Sequence, residues 1–168
     1  MRVAALLTLV AGAAGAQHAS FPRVSEPARS SIGFMLGAPT GLTFKRWLGG
    51  ANAFDLNAGF ALAPGVRFSA DYLFGIAQLP SDSPAVGFDL YAGVGPLVGV
   101  FRGSCGIGRG ERCDTGDIYA GGRVPFGIEA VFRRTPLAVG FEIAPGIVGS
   151  KDGPAGILDV ALTARLLL

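Results

Sequence analysis

The chain has 168 residues, one domain's worth; half are hydrophobic, 15% are charged, glycine occurs 27 times and the mean hydropathy is +0.48. The formal net charge of +2 provides no basic field for nucleic acid. A single histidine, His18, leaves little from which to build a catalytic dyad or a zinc cage, so most enzymes and metalloproteins are disfavoured.

In chain order, Met1 to Ala16 has the form of a secretory signal peptide. Arg2 precedes an apolar stretch centred on Leu6, Leu7, Leu9 and Val10, and Ala14-Gly15-Ala16 is a small-x-small cleavage site. Cleavage there makes Gln17 the mature N-terminus. Residues 17–30 then form a periplasmic segment and 31–168 the folded domain. The apolar run is shorter than the roughly 20 residues a spanning helix needs. Every later apolar stretch is interrupted by Asp, Arg or Glu.

The remainder alternates with period 2, which predicts strands rather than helices. Two weaker segments come first, Ser31 to Gly37 and Leu42 to Leu48. Six stronger ones follow: Phe54–Leu62, Val66–Phe74, Val86–Val94, Gly122–Phe132, Leu137–Ile143 and Leu158–Leu168. Turn-like connections separate them at 38–40, 49–52, 63–65 and 133–136. Longer connections are expected at 76–85, 102–117 and 149–156. Gly106-Ile107-Gly108-Arg109-Gly110 lacks the dinucleotide-binding spacing and opens no helix, so it reads as loop.

The composition of the two strand faces decides what surrounds them. One face is bulky and apolar. The other is largely Gly and Ala, with sign-balanced charges at Asp55, Arg67, Asp71, Asp89, Arg123, Glu129, Glu142, Asp159 and Arg165, and with Lys45 as a further cation. A water-facing surface carries many Lys, Glu, Thr and Ser side chains. This face instead suits the narrow interior of an eight-stranded barrel, where arginine forks pair with carboxylates. The prediction is an all-β, eight-stranded antiparallel up-and-down transmembrane β-barrel. Phe44, Trp47, Phe54, Tyr72, Phe74 and Phe132, near strand ends, are its expected interface aromatics. The alternative is a secreted, soluble, lipocalin-like barrel with the apolar face inside, binding a small apolar ligand. An even strand number puts both termini in the periplasm and the 102–117 connection outside.

The stretch Pro39-Thr40-Gly41-Leu42-Thr43-Phe44-Lys45-Arg46-Trp47-Leu48, with Asn52-Ala53-Phe54-Asp55 after it, resembles small bacterial outer-membrane β-barrels of unassigned role and OmpA/OmpX-like architecture. So do Ala70-Asp71-Tyr72-Leu73-Phe74, Gly122-Arg123-Val124-Pro125-Phe126-Gly127 and Glu142-Ile143-Ala144-Pro145-Gly146. The resemblance runs from about Ile32 onward and implies an eight-stranded barrel in the outer membrane, without an activity or a site. One departure is that such barrels often end in an aromatic residue that aids assembly, whereas Leu168 stands here.

Cys105 and Cys113 both fall in the longest connection, and in an oxidising compartment they are expected to pair. Two cysteines without a nearby histidine make a poor metal site. Asp71 with Ser69 and Arg67, and the pair Glu129 and Glu142, are the nearest approaches to a catalytic cluster. Interior ion pairing accounts for both, and glycosidase chemistry would also need a sugar-sized cleft. No catalytic residue, cofactor or metal is therefore expected. The expected partners are outer-membrane lipid, the barrel-assembly machinery and a surface partner at 102–117, with the chain a monomer. A barrel-embedded lipid-modifying enzyme is the weaker alternative.

Overall fold

A computed structural model describes residues 30–49, 51–60, 65–79, 81, 85–101, 118–151 and 153–168. The expected signal peptide at 1–16, the 17–29 segment and the 102–117 connection with Cys105 and Cys113 lie outside the described residues. Nine strands follow one another: β1 (Ser30–Ala38), β2 (Thr40–Trp47), β3 (Asn52–Phe60), β4 (Gly65–Leu79), β5 (Val86–Phe101), β6 (Ile118–Arg123), β7 (Phe126–Phe132), β8 (Leu137–Ser150) and β9 (Gly153–Leu167). All pairings are antiparallel and belong to one sheet. Among the described residues there is no helix.

The sheet closes on itself. Each strand is bonded to strands on both sides, and β1 pairs with β9 from Ser31↔Leu167 to Ala38↔Val160. In such a ring no row of backbone N–H and C=O groups is left at an open edge.

The expected count of eight is corrected to nine, for a local reason. β6 and β7 occupy a single position in the ring, and both pair with β5 on one side and β8 on the other. Between them lie Val124 and Pro125. Pro125 has no N–H for the ladder. Register nevertheless carries across the break. Arg123 stands opposite Gly95 and Phe126 opposite Ala92 on β5, with Gly146 and Ile143 their counterparts on β8. Val124 N donates to the Pro145 carbonyl at 2.9 Å, and Gly93 N donates to the Pro125 carbonyl at 2.8 Å.

Two connections are shorter than expected. β4 continues through Ile76 to Leu79 beyond a register shift between Gly75 and Ala77, and a shift of this kind breaks the alternation a sequence reading follows. β8 and β9 extend to Ser150 and from Gly153. Gly49 and Gly153 have φ of 93° and 114°, a left-handed backbone that glycine adopts without a Cβ clash.

The alternation sorts side chains cleanly. The outward face is apolar: Phe34 is 67% exposed, Phe60 65%, Ile147 65% and Leu158 63%. The inward face holds Lys45, Asp55, Asp71, Arg123 and Arg165, each buried to 2% exposure or less.

Candidate functional site

The only concentrated chemistry in the described structure lies inside the ring. It has two ionic clusters, flanked by an apolar group toward each rim.

The first cluster is centred on Arg165 of β9. Its Nη1 lies 2.8 Å from Glu129 Oε1 and its Nη2 2.9 Å from Asp55 Oδ2. Nε and Nη2 both donate to Thr43 Oγ1, at 3.1 and 2.9 Å, and Thr43 donates in turn to Asp55 Oδ1 at 3.1 Å. Lys45 Nζ reaches the other Glu129 oxygen at 3.2 Å. The same ammonium stands 3.9 Å from the Tyr91 ring centroid and 4.8 Å from that of Trp47. A cation over an aromatic face is attracted to the ring's negative quadrupole, the more so when desolvated.

The second cluster is centred on Arg123 of β6. Its Nε and Nη2 grip Asp71, the latter at 2.5 Å from Oδ2. Nη2 is also 3.2 Å from Glu142 Oε1, and Nη1 is 3.4 Å from Asp159 Oδ2. Arg67 Nη2 holds the other Asp159 oxygen at 2.6 Å. One guanidinium thus spans carboxylates from β4, β8 and β9, which a single ammonium has no fork to do. The Tyr91 hydroxyl donates to Glu142 Oε2 at 3.0 Å, so Tyr91 touches both clusters.

An apolar group closes on each side. Ala53, Leu73 and Tyr91, with Trp47 against them, sit toward the β2–β3 turn. Leu97, Tyr119 and Val148, with Ile157, sit toward the β8–β9 turn. Each tyrosine lies across from a glycine: Tyr91 is paired in register with Gly127, and Tyr119 with Gly99. A Cβ at either glycine would collide with the hydroxyl end of the facing ring. Gly127→Ala is therefore expected to push Tyr91 off Glu142 and to lower stability by about 1 kcal/mol, the low end of overpacking costs because the ring's far end can move. Urea midpoints of the refolded proteins check this.

Most of the predicted interior charges are brought together here: Lys45, Asp55, Arg67, Asp71, Arg123, Glu129, Glu142, Asp159 and Arg165 are all buried. Asp89 stands apart, half-buried near the start of β5 and opposite Glu129 in register. Trp47 is a correction. It packs on the inward cluster of Ala53, Leu73 and Tyr91 and is not an outward girdle residue. Its parity with Lys45 is the physical reason, since residues two apart on a strand share a face. Phe54 and Phe74 are exposed on the outward face, and Phe44, Tyr72 and Phe132 are half-buried. Tyr72 meets Phe54 and Phe74 edge-on, with ring centroids 5.2 and 5.0 Å away.

Thr43, Asn57, Tyr91 and Thr163 also belong to the network, beyond the charged positions and the Ser69 already placed beside Asp71 and Arg67. Their parity with the charged positions was the available signal. Among the described residues no group of three or more acidic, His or Cys side chains converges as a metal site. A recess of about 720 Å³ is lined by Ile32, Leu42, Leu56, Phe68 and Val98 from the outward face, so it is an apolar groove rather than a polar cleft.

No family model, curated protein or solved structure matches the chain.

Proposed function

We propose that the protein is a small outer-membrane β-barrel, held in the bilayer by its outward face, with a non-enzymatic role as a structural or surface-interaction element. The observation that carries this reading is the inverted sidedness of the sheet. Large apolar side chains point away from the ring, and arginines, lysine and carboxylates point into it. A water-soluble barrel has the opposite arrangement, and soluble monomers rarely expose apolar patches beyond a few hundred Å². Lipid demands both this inversion and a closed ladder, because no water is present to satisfy backbone groups. The dimensions agree. β9, Gly153–Leu167, rises about 46 Å over its 15 residues, which a tilt of about 40° foreshortens to about 35 Å, enough to cross the apolar band of such a barrel, about 25 Å high.

The paired interior favours a sealed barrel over a pore or a ligand cavity. The carboxylates of both clusters are engaged by arginine or lysine, and the apolar groups lie above and below them. The surface role would then fall to the connections beyond the rims, 102–117 above all. Fractionation tests the assignment: recovery in carbonate-resistant outer membrane is expected, and a soluble periplasmic pool overturns it. Unboiled, detergent-refolded protein should run ahead of the boiled form on a gel. The refolded protein should give no discrete conductance steps in a planar bilayer, and steady single-channel openings would refute the sealed interior.

A further inference from the structure

The outward face carries one charge among the described strand residues, and it is exposed: Arg46 of β2. It lies beside Phe54 in register, and Phe54 lies beside Tyr72, so a guanidinium, an aromatic ring and a phenol form one row on the outer wall. On the other side Arg46 is paired with Ser30, the first residue of β1. Two more arginines stand at the same rim. Arg133 and Arg134 are exposed in the β7–β8 turn. The backbone ties that turn to the Arg46 side: Leu167 N donates to the Pro136 carbonyl at 2.8 Å, and Leu168 N to the Ser30 carbonyl at 2.9 Å. No described acidic residue is exposed; the carboxylate nearest this rim is Asp89, half-buried near the start of β5, and the others are buried inside the ring.

We propose that this rim is a docking surface for anionic phospholipid headgroups, with Arg46 taking a lipid phosphate from the outer wall and Arg133 and Arg134 taking others from the turn. The inference rests on the bilayer reading above and adds to it a headgroup preference and the leaflet, the one at the rim where Ser30 and Leu168 lie. A lone charge on a lipid-facing wall is tolerated where it meets the interface, and a long side chain reaches that level with its stem against the apolar wall. The planar guanidinium fork matches phosphate oxygens two at a time. Basic residues at such a surface favour anionic over neutral lipid, and the preference is screened by salt.

The full chain is refolded into phosphatidylcholine vesicles, and its preference is measured with spin-labelled phosphatidylglycerol against spin-labelled phosphatidylcholine. Folding is confirmed by gel mobility. At low salt phosphatidylglycerol should be enriched in the motionally restricted shell, by roughly fivefold per engaged arginine as an upper bound. Molar salt should bring the ratio toward unity. Arg46→Gln should reduce the ratio, and the triple variant with Arg133→Gln and Arg134→Gln should abolish it while keeping the gel shift. Arg46→Lys should restore part of it. A ratio of one in the unmodified protein, or an unchanged ratio in the folded triple variant, overturns the docking surface and leaves the barrel standing. Absence of any restricted lipid of either kind overturns the bilayer reading together with the proposal.

Discussion

Arg123→Met is expected to remove at least about 3–5 kcal/mol from the folded state, the usual cost of breaking a buried ion pair from one side. The loss is large because one guanidinium serves three carboxylates. Without it, among the described residues Asp71 is left with the Asn57 amide at 3.4 Å and Glu142 with the Tyr91 hydroxyl at 3.0 Å. Asp159 retains Arg67. Folded domains are stable by roughly 5–15 kcal/mol, so the variant should sit near the limit of folding. Its gel-shifted band should weaken and its urea midpoint should fall.

The cause can be separated from simple loss of volume. Asp71→Asn alone removes a partner from Arg123 and should destabilise. In the Arg123→Met background the same change removes a stranded charge and should restore stability. A cycle of the four proteins is expected to give a coupling of about 0.5–3 kcal/mol, the range for residues in one network. Arg123→Lys should fall between the unmodified protein and Arg123→Met, because an ammonium keeps the charge without the fork. An unchanged midpoint for Arg123→Met would mean that the ion pairs do not hold the interior together.

Face assignment was legible in the sequence because a strand's period of two is rigid. Asp55 and Asn57, or Asp159, Ala161, Thr163 and Arg165, fall inward together once one of them does. Partnership was not legible. Lys45 and Glu129 are 84 residues apart, and Arg165 and Asp55 are 110 apart. Which cation meets which carboxylate depends on the stagger of the strands around the ring, and no local pattern encodes it. Trp47 shows a related ambiguity. An aromatic near a strand end serves equally as an outer girdle or an inner plug, and its parity with Lys45 is what separates the two. At Pro125 the residue was visible but its consequence was not. Whether a proline ends a strand or only interrupts it depends on the strands beside it, here Gly93 on β5 and Pro145 on β8.

Three alanine variants test the sidedness of the sheet and what lies outside it. Ala70 is exposed on β4, paired with Leu56 and central in the outward row from Val66 to Phe74. Ala161 is 4% exposed on β9, between Gly37 of β1 and Glu142 of β8. Leucine at Ala161 would drive its branch against the Gly37 backbone and the Glu142–Tyr91 hydrogen bond, an overpacking cost of about 1–3 kcal/mol. Leucine at Ala70 adds apolar surface where nothing has to be packed, so its midpoint in bilayers should match or slightly exceed the unmodified value. Arginine at Ala70 then distinguishes lipid from water. At the midplane of a membrane barrel it should cost about 2–4 kcal/mol, whereas an isolated surface substitution in water usually stays within about 0.5 kcal/mol. The expected order of urea midpoints in bilayers is Ala70→Leu highest, with Ala161→Leu and Ala70→Arg both clearly lower. An Ala70→Leu midpoint below that of Ala161→Leu would contradict the sidedness, and an Ala70→Arg midpoint equal to that of the unmodified protein would remove lipid from the outward face.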